Sequence, residues 1–467
     1  MTDSSPFRYV DLFAGIGGFA AALESLGGSN VYSVELDPYA AAVYERNWGH
    51  SPLGDITADA NETTMNVPAH DVLAAGFPCQ PFSKSGAQLG MEETRGTLFF
   101  NIMKIVEAHH PAVVLLENVR NLAGPRHRHE WEVIIDLLHR QGYQVSASPA
   151  VFSPHLLPLG RGGRPQVRER VFITATHAPD HVLDPKRVPP PSIHEDDRNT
   201  EEWDLTQHLQ PASAIDDDRF AITAEEARWI DAWDEFVRLI WVAEKQRSRT
   251  SAAPRLPGFP IWSDHWVHED ELIIPVDTPA WKANFLRKNS EFYTRHRQIL
   301  DTWRDHHRVD EFPPSRRKLE WQAQDTPTLW ECVMQFRPSG IRAKRPTHLP
   351  ALVAITQTPI IGSERRRLTP TEAASLQGLP STFDFGRQPD AKTYKQLGNG
   401  VSVGAVWHVL RKHVERDAAI LETTERGRAI LKAVRDDAPK SPDDVLPQVL
   451  AAGQQRYRDA QAARELG

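Results

Sequence analysis

Cysteine is almost missing from this chain: 467 residues contain only Cys79 and Cys332. Two thiols cannot build a four-cysteine metal site or a disulfide framework, and such sparing use fits a reducing compartment. No apolar run approaches the roughly 18 residues that a membrane-spanning helix requires. The opening residues, MTDSSPFRYVDLF, lack a basic stretch followed by an apolar one, so no secretory signal is expected and the cytoplasm is the expected location. Long uninterrupted helices are disfavoured by 36 prolines. Positive charge is in deficit, with a net charge of −8, which taken over the whole chain argues against a nucleic-acid partner. The deficit is local. Residues 195–235 hold 14 Asp or Glu against 3 Arg, whereas residues 282–345 hold 14 Lys or Arg against 8 acidic residues. The second stretch is either a phosphate-binding surface inside an acidic protein or a solvated charged face.

What is present is ordered in blocks. The length suggests roughly two to three domains. Residues 1–176 alternate short apolar strands with amphipathic helices. YVDLFAG runs into glycines, VYSVEL follows a helical stretch, and DVLAAGF and AVVLLENV resemble strands buried on both faces. HEWEVIIDLLHRQG spaces Trp131, Ile134, Ile135 and Leu138 as a helix that Gly142 closes, and RVFITAT is a late strand. This pattern predicts an α/β fold with a doubly wound, mostly parallel sheet, and ligands at the carboxyl ends of its strands. Residues 177–366 lose the alternation: a proline-rich linker leads into a segment holding ten of the thirteen tryptophans. They read as a second, smaller domain. Order returns over 367–415, and 416–467 is a charged, helix-like extension.

Two constellations carry chemistry. In DLFAGIGG, glycines between strand and helix allow close ligand approach, and Glu35 follows about twenty residues later at the end of the next strand. The GxGG spacing differs from the GxGxxG that cradles a dinucleotide pyrophosphate, and it leaves a nucleoside cofactor or a plain helix-packing turn as readings. In AAGFPCQPFSKSG, Cys79 stands between prolines, either as a small buried hydrophobe or as a nucleophile. Glu117 ends a neighbouring apolar strand, where a carboxylate is costly unless paired. Arg168 and Arg170 in QVRER are the candidate partners, in a structural ion pair or in a site.

In order and wording these segments resemble the DNA cytosine-5 methyltransferases of bacterial restriction-modification type. DLFAGIGG, VELD, GDIT, GFPCQPFSKSG, ENVRNL, PQVRERVFI, RLTPTEAASLQGLP and QLGNGVSV follow one another in the family's unpermuted order, over about 1–176 and 367–410. The resemblance implies an S-adenosylmethionine-dependent methyltransferase fold with a target-recognition domain at 177–366. It also implies transfer of a methyl group to carbon 5 of a cytosine flipped out of a specific duplex DNA sequence. By position, Cys79 would attack carbon 6, and Glu117 would hydrogen-bond or protonate ring nitrogen 3 and the exocyclic amine. Arg170 would hold the base carbonyl with Glu117, and Arg168 a nearby phosphate. Phe13, Gly15, Ile16, Gly18, Glu35, Leu36, Asp55, Ile56, Pro78, Asn399 and Val401 map onto the S-adenosyl-L-methionine pocket. Asp55 would accept from the adenine amine, against its alternative as a turn cap. Gln80, Ser83 and Ser85 would lie in the loop that the family closes over DNA, with Ser83 and Ser85 either contacting phosphate or merely keeping the loop soluble. Two departures stand out: Gly400 replaces a common serine, and SPHLLPLGRGGR is longer and more basic than the usual turn. Arg161 and Arg164 there are either DNA-backbone contacts or surface residues.

For base and phosphate contact the best recognition segments contain Arg316, Arg317 and Arg342. The tryptophans there read as core before stacking platforms. His127, His129, His306 and His307 are not at metal-ligand spacing, so no metal is expected. A monomer is expected, with double-stranded DNA as partner and a cognate restriction endonuclease acting separately. An RNA cytosine-5 methyltransferase, a non-catalytic DNA-binding regulator and a nicotinamide oxidoreductase are the rival readings.

Overall fold

A computed structural model of the chain describes residues 5–78, 97–180, 182–193, 197–215, 218–247, 256–352 and 357–466. The chain divides into two compact units. One comprises Met1–Glu201, Ala351–Ile355 and Ala373–Gly467; the other comprises Glu202–Pro350 and Thr356–Glu372.

The first unit is built on a seven-stranded sheet. Strands β1 (Phe7–Leu12), β2 (Gly28–Val34), β3 (Val72–Gly76) and β4 (Val113–Val119) pair in the order β2-β1-β3-β4, all parallel. β1, β3 and β4 are buried along almost their whole length, which is why they read as continuous apolar runs. Helices α1 (Gly18–Glu24), α2 (Pro38–Trp48), α3 (Leu98–His109) and α4 (Arg128–Arg140) accompany them. α2 starts where the Asp37 side chain accepts from the Tyr39 amide at 2.9 Å, with proline at its first position.

Beyond β4 the sheet changes direction. β7 (Arg170–His177) lies antiparallel against β4, and β5 (Tyr143–Val145) and β6 (Ala150–Phe152) pair antiparallel with β7. The amino end of β7 therefore arrives at the carboxyl edge of the parallel strands. Arg170 registers against Val119, while Gly76 registers against Glu117.

Residues Ala373–Gly467 also belong to this unit. α7 (Asp390–Asn399) and α8 (Val403–Arg416) follow one another, and Asp417 at the end of α8 accepts from Thr176 of β7 at 2.7 Å and Gln144 of β5 at 2.9 Å. α9 (Leu446–Leu466), the end of the charged extension, packs along α2. Gly453 permits this: a Cβ there would stand 2.1 Å from the Asn47 carbonyl oxygen. Gln454 donates to Asn47 Oδ1 at 3.1 Å, and Arg456 donates to the Trp48 carbonyl at 3.1 Å.

The second unit holds a six-stranded sheet. Its strands are β8 (Ile261–Trp262), β9 (Lys318–Gln322), β10 (Val333–Arg337), β11 (Gly340–Lys344), β12 (Ile360–Ile361) and β13 (Arg366–Arg367), in the order β13-β12-β10-β11-β9-β8. Two long helices, α5 (Ala224–Arg247) and α6 (Ala280–His307), supply much of its core. Trp233, Trp266, Trp303 and Trp321 are buried in that core, whereas Trp281 is exposed. Cys332 is buried there too, and burial pushes its thiol far above the ordinary range, so it is no nucleophile.

Candidate active site

The carboxyl edge of the parallel strands gathers the polar groups of the first unit. After β1 the chain turns sharply, with Phe13 in the left-handed region at φ 59°. The loop is held from two sides. The Glu35 carboxylate accepts from the Gly15 amide at 2.8 Å and, through its other oxygen, from the Asp37 amide at 2.7 Å. The indole of fully buried Trp48 donates to the Ile16 carbonyl at 3.1 Å. Val401 seats against the start of α1, where a Cβ on Gly18 would come within 2.7 Å of its Cγ1. Each Glu35 oxygen retains a lone pair, so a ribose diol can still be accepted there.

Around this loop apolar surface is left uncovered. Leu36 is 71% exposed, Phe13 is half-buried, and Ile56 is buried at the start of a single helical turn. Asp55 caps that turn, its Oδ1 accepting from the Thr57 amide at 2.9 Å and hydroxyl at 2.8 Å. The capping reading is thus the observed one, and Oδ2 remains open to a further donor. Asp11 lies fully buried beneath the loop with neither oxygen hydrogen-bonded among the described residues, and burial drives its carboxyl well above the usual range.

Glu117 and Arg170 meet at the next position along the edge, with Arg170 Nε 3.0 Å from Glu117 Oε1. Both side chains are largely buried. Burial raises the Glu117 carboxyl above its ordinary value, and the guanidiniums of Arg170 and Arg168 pull it back. A carboxyl raised in this way holds its proton more readily than an exposed glutamate, as a donor to a base requires. Asn118, which sequence reasoning quoted but gave no role, donates from Nδ2 to the Phe77 carbonyl at 2.8 Å. It thereby ties the end of β4 to the residues just before Cys79. Pro78 is exposed at that point. Cys79, Gln80, Ser83 and Ser85 lie outside the described residues.

Arg168 departs from expectation. It is 1% exposed, so no phosphate reaches it. Its guanidinium donates to the carbonyls of Gly398 (2.8 Å), Gly400 and Leu352 (3.3 Å). Burial, then the charge of Arg170, pushes it down to about 9, still protonated at neutral pH. Arg168 therefore fixes both sides of exposed Asn399 and couples the QVRER and GNGVSV segments. Arg164 likewise turns inward, to the Ser375 carbonyl at 3.0 Å and Asp443 at 2.7 Å, and Arg161 pairs with Asp197.

Comparison with known proteins gives the family. The model of the C-5 cytosine-specific DNA methylases matches residues 7–415. The chain belongs to that family. It is 47% identical to the type II methyltransferase M.AluI of Cellulosimicrobium cellulans, covering 93% of this chain and 97% of that one. Against M.HhaI of Haemophilus parahaemolyticus identity is 48%, over 36% of this chain and 48% of the relative. Among solved structures, the S. pombe Dnmt2 methyltransferase aligns over 89% of this chain and 99% of that one, at 14% identity and a TM-score of 0.44. The chain is thus a DNA cytosine-5 methyltransferase, which sets aside the oxidoreductase reading.

In the second unit the three arginines expected at DNA serve the methylase's own fold. Arg316 lies 4.4 Å over the Phe336 ring and 5.4 Å from Trp229, and donates to the Arg337 carbonyl at 3.2 Å. Arg317 donates to the carbonyls of Phe312 (2.7 Å) and Asp310 (2.6 Å) and reaches Asp264 at 3.3 Å. Arg342 pairs across the sheet with Glu320, its Nε 2.7 Å from Oε2. The sequence showed their charge but could not show these partners. Each of the three is thus held by partners inside the second unit.

Proposed function

We propose that this methylase uses S-adenosyl-L-methionine to methylate carbon 5 of a cytosine flipped out of a specific sequence in duplex DNA, as a type II modification enzyme. The Glu117–Arg170 pair at the carboxyl edge of the sheet carries this reading. It offers a base one group able to donate to ring nitrogen 3 and one able to donate to the carbonyl oxygen.

The loop residues fit the methyl donor. Glu35 keeps acceptor capacity for a ribose, Asp55 Oδ2 for an adenine amine, and Phe13 and Leu36 present apolar surface for a ring, while Ile56 is buried beneath them. When bound, the donor supplies an electrophilic methyl group.

The chain's own residues handle the base. Carbon 5 of cytosine is a poor nucleophile. Addition of the Cys79 thiolate to carbon 6 turns the ring into an enamine whose carbon 5 can accept a methyl group. Protonation or hydrogen bonding at nitrogen 3 by Glu117 stabilises that adduct, while Arg170 holds both the Glu117 carboxylate and the base carbonyl. Loss of the carbon-5 proton then expels the thiolate and restores the ring. Neither carbon is open to this attack inside the duplex stack, hence the flipped base. Residues 177–366 are proposed as the target-recognition domain.

Bisulfite sequencing of plasmid from cells expressing the protein tests the reading, because it reports both the modification and its sequence context. Protected cytosines at one recurring sequence are expected, and none with Cys79→Ala. Unprotected plasmid with the wild type, or protection surviving in the variant, refutes the proposed function or the role of the cysteine, respectively.

A further inference from the structure

His306 and His307 sit next to each other in the last turn of α6, a spacing that by itself defines no metal site. In mid-helix, neighbouring side chains diverge by about 100° around the axis. The fold supplies what the spacing lacks. Glu235, on α5, places Oε2 2.8 Å from His307 Nε2. The two imidazole rings stand with centroids 4.8 Å apart. One ligand atom from each of the three residues lies within 4.8 Å of the others.

We propose that Glu235, His306 and His307 form a binding site for a divalent transition-metal ion, zinc foremost, that clamps α5 to the end of α6.

Two imidazoles and one carboxylate are a donor set that zinc accepts, with water completing the tetrahedron. Donors around one zinc at about 2.1 Å stand roughly 3.4 Å from each other, so the trio closes by side-chain movements of about an ångström. Water has access, because a cavity of about 450 Å³ opens beside the cluster, lined by Glu235, Leu239, Gln298, Thr302, Trp303 and His306. The local field also suits a cation. α6 ends at His307, so the negative end of its dipole lies at this last turn. Guanidiniums close by in sequence are paired: Arg304 with Asp310 at 2.7 Å, Arg308 with Glu311, and Arg238 with Asp234 at 3.1 Å. The competing account is an imidazolium–carboxylate pair between His307 and Glu235 alone. That pair has no use for His306, which is exposed.

The test uses the full-length, tag-free protein, stripped with a chelator and titrated with Zn²⁺ by calorimetry and with Co²⁺ by visible absorption. One tight equivalent is expected, with the intense absorption of four-coordinate Co²⁺. His306→Ala and Glu235→Gln should each weaken it about tenfold or more. Zinc should also raise the thermal midpoint of the wild type and not that of a His306→Ala/His307→Ala variant. Circular dichroism of the variants before metal addition controls for misfolding, which the exposure of His306 and the near-isosteric Gln make readily separable. Equal metal affinity in the wild type and the double-histidine variant would overturn the proposal. So would a wild type without a tight equivalent, and the trio would then revert to the His307–Glu235 pair.

Discussion

At the carboxyl edge of the first sheet, polar groups are held in place with bonding capacity to spare. On the arginine-rich elements of the second unit, much of that capacity is already engaged within the unit, although Arg316 Nε has no partner among the described residues. Glu35 fixes two amides and still has a lone pair on each oxygen; Asp55 caps a turn with one oxygen and leaves the other. Arg316, Arg317 and Arg342 instead put their donors on carbonyls, aromatic faces and Glu320. Arg168 and Arg170 show the same contrast two residues apart. Arg168 is sealed onto backbone carbonyls, while Arg170 stands with Glu117 at the edge. Residue type alone therefore says little about who meets a ligand. What matters is which donors and acceptors the folded chain has left over.

Four substitutions can sharpen or break this contrast. The largest effect is expected from Glu117→Gln, which keeps the shape but not the titratable proton. Methyl transfer should fall roughly 10²–10³-fold with little change in donor affinity, measured by single-turnover assays; a fall below tenfold would break the assignment of unspent groups to catalysis. Arg168→Met comes next. It strands the carbonyls around Asn399 and should cost roughly 3 kcal/mol of stability in urea denaturation. DNA affinity at equal folded fraction should not change, whereas a phosphate-contacting arginine would give the reverse. Arg316→Ala should cost about 1–2 kcal/mol through its lost ring and carbonyl contacts. Its salt slope for DNA binding should stay that of the wild type; a slope smaller by about one would return it to the phosphate.

The smallest effect tests a buried acid behind the cofactor loop. Burial raises the Glu24 carboxyl to about 7, with Arg456 and the Tyr9 hydroxyl pulling the other way. A raised folded-state value means the stability it contributes is complete below its ordinary value of 4.5 and disappears as pH climbs through about 7. Glu24→Gln should flatten the decline in stability between these pH values, so that the variant gains on the wild type by pH 8. Parallel declines would place the titration elsewhere.

Much of the first unit was legible because its strands and helices obey periodic rules and its turns carry their own chemistry. β1, the turn at Phe13–Gly18, α2 behind Asp37 and the helix over Arg128–Arg140 all follow from local residues. The direction of β7 was not legible, since an apolar run reads the same in either sense. Neither was the docking of α9, because Gly453 looks like a weak point in a helix until the backbone it approaches is known. The three recognition arginines and the meeting of Glu235 with His307 fail for one shared reason: their partners are distant in sequence, and pattern carries no information about them.

The inward turn of Arg168 has a consequence for synthesis. Every segment that resembles the donor loop, the cysteine turn and the Glu117 strand has left the ribosome by residue 176. The carbonyls that receive Arg168 belong to residues 398 and 400, more than two hundred positions later. A chain truncated before them would leave the Arg168 guanidinium to water and without the carbonyls that fix it beside Arg170 and Glu117. Competence is therefore expected to arrive late, with a truncated chain carrying the motifs but modifying no DNA. For an enzyme that marks DNA, partial products that stay silent protect the record it writes.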